Sequence, residues 1–353
     1  MNILVTGATG FLGKKLSQDL VNEGHTLFLL ARNEQKASQL LQSFADKDKS
    51  KIHMVMGDVS KPGLGLTQQD LQRVQHKIDA VYHLAAYLSF DPAHKSQTFM
   101  VNVDGTKNTL LFAEGIGASR FIYVSTAYTV GKEVAGKEEL YNPKRSFVNH
   151  YEESKCLAEH LVVSHSDKME VVIVRPSIII GDSRTGEADT NFGLYGLLKG
   201  LCVLKRRASR TAGWQNQKYR IRLDVNVQTN LVPVDYVTSV LVAALTHAQN
   251  KTIYHASNPA PPTQELVIEC IKEVLDFPNL QAIPYESGES LSEEEKVFHA
   301  SMGIFKEYFT RTLHFPTDNT RDLLRKVNRS ELEMNKALLT SIIRGYQKQP
   351  VLT

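Results

Sequence analysis

Thr6-Gly7-Ala8-Thr9-Gly10-Phe11-Leu12-Gly13 follows the β-rich run Asn2-Ile3-Leu4-Val5 and opens a helical pattern that continues through Leu16–Glu23. Glycines between a strand and a helix let backbone N–H groups approach a pyrophosphate, and the positive end of the helix dipole faces the same anion. The stretch therefore predicts a dinucleotide-binding turn built from Gly7, Thr9, Gly10, Phe11, Leu12 and Gly13, with GxxGxxG rather than GxGxxG spacing. Outward from it, β-rich runs alternate with helical patterns: Thr26–Ala31, Ile52–Gly57, Ala80–Ala86, Val101–Ala113, Phe121–Thr126 and Val171–Val174. Alternation of this kind implies βαβ units, because parallel neighbours need a crossover. The predicted fold is α/β, a Rossmann-type doubly wound parallel sheet.

From Gly181 the regularity breaks. Lys218–Val227 alternates with period two, placing Tyr219, Ile221, Leu223, Val225 and Val227 on one face of a strand. Helical patterns follow at Pro262–Leu275 and Ser330–Gln347, while Val232-Pro233-Val234-Asp235 and the short strand Thr252–Ala256 read as a return to the main domain. The expected division is a dinucleotide-binding domain over residues 1–180 plus 230–256, and a smaller, discontinuous C-terminal substrate-binding lobe over 181–229 plus 257–353.

The 353 residues suffice for both, and 42% apolar with 22% charged residues is ordinary globular usage. No window approaches the roughly 20 apolar residues of a membrane span. The first strand starts at Met1, leaving no room for an export signal, so a cytoplasmic location is expected. Cys156, Cys202 and Cys270 form neither paired CxxC motifs nor an even set, and read as reduced thiols. A net charge of +3 is too small to imply nucleic acid as a partner. It is unevenly spread: between Asp189 and Asp224 no acid occurs, while Lys199, Lys205, Arg206, Arg207, Arg210, Lys218, Arg220 and Arg222 do.

The second strand ends at Leu29-Leu30-Ala31-Arg32-Asn33, with a cation where an acid would hold the ribose 2′-OH of NAD. Arg32, with Lys36 nearby, can pair with the 2′-phosphate of NADP, or it is a solvated strand-end residue. Asp58 and Val59, closing the third strand, suit an adenine contact through carboxylate and backbone; Asp58 alternatively caps the next segment. Ala85 and Ala86 are small enough to lie against a cofactor ribose. His83 has no second ligand at a useful spacing, and His160 with His165 makes no zinc motif, so no metal is expected and the 12 histidines read as structural or surface.

Tyr151-Glu152-Glu153-Ser154-Lys155 sets a phenol and an ammonium at i and i+4, on one helix face. A neighbouring ammonium favours the phenolate, which would bring Tyr151 into use as an acid or base. Val124-Ser125-Thr126-Ala127 ends the fifth strand, at the sheet edge where ligands bind, and a hydroxyl there can hydrogen-bond a substrate oxygen. Ser125 and Thr126 both offer one, and Lys155 can also hold the ribose of a bound nicotinamide cofactor.

With Thr126, Tyr151 and Lys155 beside the glycine turn, the chain resembles the extended short-chain dehydrogenase/reductases over nearly its whole length. Gly57-Asp58-Val59-Ser60-Lys61-Pro62, Asn149-His150-Tyr151, Arg175-Pro176-Ser177-Ile178-Ile179-Ile180-Gly181-Asp182 and Leu231-Val232-Pro233-Val234-Asp235 are similar in style to the thioester-reductase and fatty-acyl-CoA-reductase-like branch. The resemblance, aligned through Gly131, puts Thr126 rather than Ser125 on the third catalytic position, and implies that Pro176 and Ile178 lie near the nicotinamide end, that Asn102 orders the helix behind the site, and that Thr126 and Tyr151 donate to a thioester oxygen while NADPH delivers hydride. It further implies an acyl substrate on coenzyme A or a carrier protein, reduced through a hemithioacetal to an aldehyde, by a monomer or homodimer acting in trans. The basic stretch Lys199–Arg222 would then face a pantetheine-linked phosphate or an acidic acyl-carrier protein, or be a solvated cationic face. Reduction of a free aldehyde or ketone, nucleotide-sugar epimerisation or dehydration, and a non-catalytic cofactor sensor are the competing functions.

Overall fold

A computed structural model describes residues 1–190, 192–303 and 306–347. In chain order the elements are β1 (Asn2–Thr6), α1 (Phe11–Asn22), β2 (Thr26–Ala31), α2 (Glu34–Gln42), β3 (Ile52–Met56), α3 (Gln68–Val74), β4 (Ala80–His83), α4 (Lys95–Phe99), α5 (Gly105–Gly115), β5 (Arg120–Val124), α6 (His150–Ser164) and β6 (Glu170–Pro176). There follow β7 (Ile178–Ile180), α7 (Leu194–Ala208), β8 (Tyr219–Arg222), β9 (Leu231–Pro233), α8 (Val234–His247), β10 (Thr252–Ala256), α9 (Gln264–Leu275), β11 (Leu280–Ile283), α10 (Glu293–Met302), α11 (Lys306–Phe309), α12 (Asp318–Lys326) and α13 (Lys336–Gln347).

Seven strands form one parallel sheet in the order β10-β6-β5-β4-β1-β2-β3. The strands are short, and the inner ones, β1, β4, β5 and β6, are largely apolar and buried on both faces, as strands covered by crossover helices are, while the edge strand β3 is only partly buried. Leu4, Val81, Phe121, Val171 and Ile253 pack against Leu110 and Ala113 of α5 and Ala158 and Val162 of α6 in one core cluster. The strand order reverses between β1 and β4, where Thr6 is the register partner of His83. That switch point is where such sheets bind ligands, outside the carboxyl ends of the strands.

The chain divides into two compact units, 1–177 with 235–257 and 315–331, and 178–234 with 258–314 and the segment from Leu332 on. Residues 315–331, expected in the lobe, instead pack with the sheet: Asn319 Nδ2 donates to Ile253 O at 2.9 Å and Thr320 Oγ1 to His255 O at 2.9 Å, so polar side chains beside α12 satisfy backbone of the edge strand β10. Residues 178–180 and 230–234 belong to the second unit, where β7 pairs with β9.

Several element boundaries also move. β4 stops at His83; Leu84 N–H still donates to Thr6 O at 3.2 Å, beyond which Ala85 and Ala86 lie outside the strand. The expected helix from Val101 begins as a π turn, Met100–Asp104, before α5. β8 is only Tyr219–Arg222, although burial keeps alternating through Leu223 and Val227, because a turn starts after Asp224. Thr263 caps α9 by accepting from Leu266 N–H, which sets its start.

Candidate active site

Gly7 has φ +72°, and a Cβ on it would stand 2.7 Å from Ala85 N and 2.8 Å from Leu84 C. A Cβ on Gly13 would meet Gly7 O at 2.1 Å, whereas one on Gly10 would meet nothing closer than 3.4 Å. The first and third glycines thus hold the turn tight against the β4 exit, and Gly10 leaves a side open. Gly10 is the N-cap of α1 and contributes no side-chain hydrogen bond, nor does an acid occupy the first turn. The N–H groups that begin α1 are therefore presented by backbone alone, as an anion at a helix N-terminus requires. Thr9, Phe11 and Leu12 are half-buried around them.

Arg32 is exposed immediately after β2, and Asn33 caps α2 by accepting from Lys36 N–H at 2.9 Å. Asp58 Oδ1 accepts from the N–H and O–H of Ser60 at 2.9 and 2.8 Å, so the carboxylate does close a turn. Burial pushes its pKa up; the Ser60 hydrogen bonds and the charges of Arg32 and Lys61 outweigh that and hold it below the usual carboxylate value. A carboxylate and Arg32 therefore share the end of the β2–β3 pair. Val59 is buried, its carbonyl taken by Asn108 Nδ2 at 2.9 Å. Ala85 is half-buried and Ala86 exposed.

Asn149 starts α6 by accepting from Glu152 N–H at 3.1 Å, which fixes Tyr151 and Lys155 in its first turns. Lys155 is buried and donates to Val124 O, the last residue of β5, at 2.6 Å, with its ammonium 4.3 Å from the Tyr123 ring centroid. Desolvation lowers its pKa to about 7, opposed by the Glu159 carboxylate one turn on. Tyr151 lies with its ring 6.2 Å from that of Phe90. Its phenol is raised above the ordinary value by burial and then by Glu152, contrary to the expectation that Lys155 would lower it. The Lys155 ammonium donates to Val124 O and stands over the Tyr123 ring. Thr126 is buried directly beyond β5, its Oγ1 accepting from Tyr128 N–H at 3.3 Å, and the Ser125 hydroxyl beside it has no hydrogen-bond partner.

Behind this edge, Asn102 sits in the π turn, accepts from Tyr87 N–H at 2.7 Å and donates to Ser154 Oγ at 2.9 Å; Ser154 in turn donates to Tyr151 O at 2.7 Å. Arg175 and Glu159, both fully buried, form a two-pronged pair at 2.8 and 2.7 Å, a contact that spacing along the chain did not announce. Pro176 ends β6 in the same unit, while Ile178 starts β7 in the second unit, paired with Leu231.

Part of the basic stretch is answered from downstream, while Lys199, Arg206, Arg207, Arg210 and Lys218 are exposed. Arg220 pairs with Glu295 and Glu289, Arg222 donates to Ser287 O and Glu289 O, and Lys205 binds Leu275 O beside Asp276. Among the described residues no three His, Cys, Asp or Glu side chains are placed to hold a metal ion, and no helix is long and apolar enough to cross a membrane.

A family profile described as Male sterility protein matches residues 5–241. The L-2-aminoadipate reductase large subunit of Penicillium chrysogenum is 26% identical over 281 residues, 69% of this chain and 18% of its own length. The fatty acyl-CoA reductase wat of Drosophila melanogaster is 26% identical over 296 residues, 70% of this chain and 55% of its own length. The chain thus spans well under two thirds of these curated relatives. Among solved structures, the terminal R domain from the myxalamid PKS-NRPS biosynthetic pathway is similar with a TM-score of 0.80 at 27% identity, covering 99% of this chain and 92% of that one.

Proposed function

Because the chain belongs to the male sterility protein family, among the extended short-chain dehydrogenase/reductases, we propose that it reduces an acyl thioester, carried on coenzyme A or a carrier protein, to an aldehyde with NADPH. The names of its relatives support the substrate class. The observation that carries the chemistry is the convergence, at the carboxyl end of β5, of Thr126 with a helix bearing Tyr151 and a buried Lys155.

The residues fit the cofactor. The open side at Gly10, the uncapped start of α1 and the tight Gly7–Ala85 approach suit a diphosphate; Arg32 and Lys36 suit a 2′-phosphate, and no acid stands in the place of Arg32. When bound, NADPH supplies the hydride. Thr126 and Tyr151 would donate to the thioester oxygen, stabilising the charge that develops there. The raised phenol keeps its proton at neutral pH and so is a donor before it is a base. Collapse of the hemithioacetal breaks the C–S bond, so that thioester, NADPH and one proton yield aldehyde, thiol and NADP⁺.

NADPH oxidation followed with a panel of acyl-CoA thioesters and the matching aldehydes, together with thiol release, tests the proposal. One thiol per NADPH, lost in Tyr151→Phe, is the expected result. Turnover of aldehydes without thioesters would overturn the substrate assignment, and equal use of NADH by the native protein and by Arg32→Ser would overturn the cofactor assignment.

A further inference from the structure

We propose that His83 is a positioning residue, a neutral imidazole that ties the turn at Gly7 to the helix carrying Tyr151. The inference rests on reading that turn as the cofactor site and Tyr151 as the acid.

His83 is fully buried at the end of β4, its ring beside those of Tyr123 and Phe121 at 5.7 and 5.8 Å. Both ring nitrogens are engaged: Nδ1 lies 2.7 Å from Thr6 Oγ1 and Nε2 lies 3.0 Å from Thr106 Oγ1. The neighbours fix the tautomer. Thr106 donates its single proton to Asn102 O at 2.6 Å, so its oxygen accepts from Nε2–H. Thr6 Oγ1 accepts from Ala85 N–H at 3.3 Å and is left to donate its proton to Nδ1. The ring is thus neutral, in keeping with a pKa pushed down to about 3 by burial, with Lys155 adding to the effect.

A histidine that only satisfies the core could end on any buried carbonyl. This one ends on two working parts. Thr6 directly precedes Gly7, and Ala85, whose N–H it holds, is the residue a Gly7 Cβ would strike. On the other side Thr106 bonds Asn102 O, Asn102 donates to Ser154 Oγ, and Ser154 donates to Tyr151 O. The path is Ala85, Thr6, His83, Thr106, Asn102, Ser154, Tyr151; at Asn102 it passes from the main-chain carbonyl to the side-chain amide through the residue's own covalent frame, and its middle groups are buried, where a low dielectric strengthens each bond. Its consequence is that the turn and the first turn of α6 share one hydrogen-bond order: settling a ligand against Gly7 and Ala85 settles the backbone of Tyr151.

The test perturbs the two ends and reads each at the other. NADPH affinity is measured by fluorescence titration in Ser154→Ala, and kcat together with amide hydrogen exchange of α6, with and without NADPH, in Thr6→Val. If His83 couples the ends, Ser154→Ala weakens NADPH binding and Thr6→Val lowers kcat, each by about three- to thirtyfold, and NADPH protects α6 amides in the native protein but not in His83→Phe or Thr106→Val. Thr106→Ser, which keeps the hydroxyl, restores both signals. In the His83→Phe background, adding Ser154→Ala to Thr6→Val has only additive effects, whereas with His83 present the pair is non-additive. Unchanged NADPH affinity in Ser154→Ala, or additivity with His83 in place, overturns the inference. Tyr151→Phe separates it from the reading beneath it: that variant binds NADPH normally and is inactive if the reading holds, and turnover at the native rate would sink the reading itself. Should His83→Phe fail to fold, the Thr106→Val and Thr106→Ser pair decides the question alone.

Discussion

Replacing Lys155 by Met should stabilise the fold at neutral and acid pH. The ammonium is buried, and its pKa falls from 10.5 to about 7. At about 1.4 kcal/mol per tenfold, that depression corresponds to a cost on the order of 5 kcal/mol. The sign follows from the proton count. Below pH 7 native and unfolded chains both carry the proton, and the native state bears the whole cost; between pH 7 and 10.5 only the unfolded chain does, so native stability rises with pH, and above 10.5 the cost is gone. Met keeps the apolar stem but leaves Val124 O without its donor, at a loss of about 1–3 kcal/mol. The net expectation at pH 6 is a gain of about 2–4 kcal/mol, and at pH 10.5 a loss of about 1–3 kcal/mol. Trp214 is in the second unit, so its fluorescence reports the wrong unit. Urea unfolding at the two pH values is better followed through amide exchange of α6. A Lys155→Met variant less stable than the native protein at pH 6, or a difference that does not change between pH 6 and 10.5, would refute the depressed pKa and the desolvation argument behind it.

Three further outcomes are expected. Gly13→Ala, whose Cβ would stand 2.1 Å from Gly7 O, loses NADPH binding or fails to fold, whereas Gly10→Ala, with 3.4 Å of room, folds normally; circular dichroism and cofactor titration distinguish them. Arg175→Met leaves Glu159 charged and buried, costing about 3–5 kcal/mol in urea denaturation, and Glu159→Leu added to it recovers part of the loss. Ser292→Ala removes one half of the capping box that begins α10 and costs the second unit about 1 kcal/mol, read from Trp214 fluorescence during unfolding.

The sheet was legible because its strands are short apolar runs separated by helical patterns, a signal carried by hydrophobic period alone. What stayed hidden is what period does not encode. Residues 315–331 return to the sheet through polar contacts: Asn319 N–H donates to Glu138 Oε2 at 2.8 Å, and Thr317 and Glu331 are hydrogen-bonded to each other. The segment's buried apolar residues are few, Phe315, Leu323 and Leu324, and an amphipathic helix does not say which of two units its face will cover. Lys218–Val227 shows the converse, since its alternation of burial is real while its ladder ends at Arg222. Burial alternates in any extended chain lying on a core, and pairing needs a partner strand, here β11, only Leu280–Ile283 long.

At the site, helix spacing placed Tyr151 and Lys155 on one face and said nothing about what each would meet. The ammonium's partner is a carbonyl 31 residues away on β5, and burial with the Glu152 charge raises the phenol. The same limit governs Arg220 in the second unit, which finds Glu295 75 residues downstream. Want of a second metal ligand leaves His83 in sequence among histidines that are structural or surface, and its partners are Thr6 and Thr106, one on β1 and one on α5. A hydroxyl and an imidazole carry no spacing rule, so such a contact becomes visible only when parallel strands are set in register, Thr6 against His83. Where a polar side chain is fully buried at the carboxyl end of a strand beside the topological switch point, the informative question is which two elements its hydrogen bonds join.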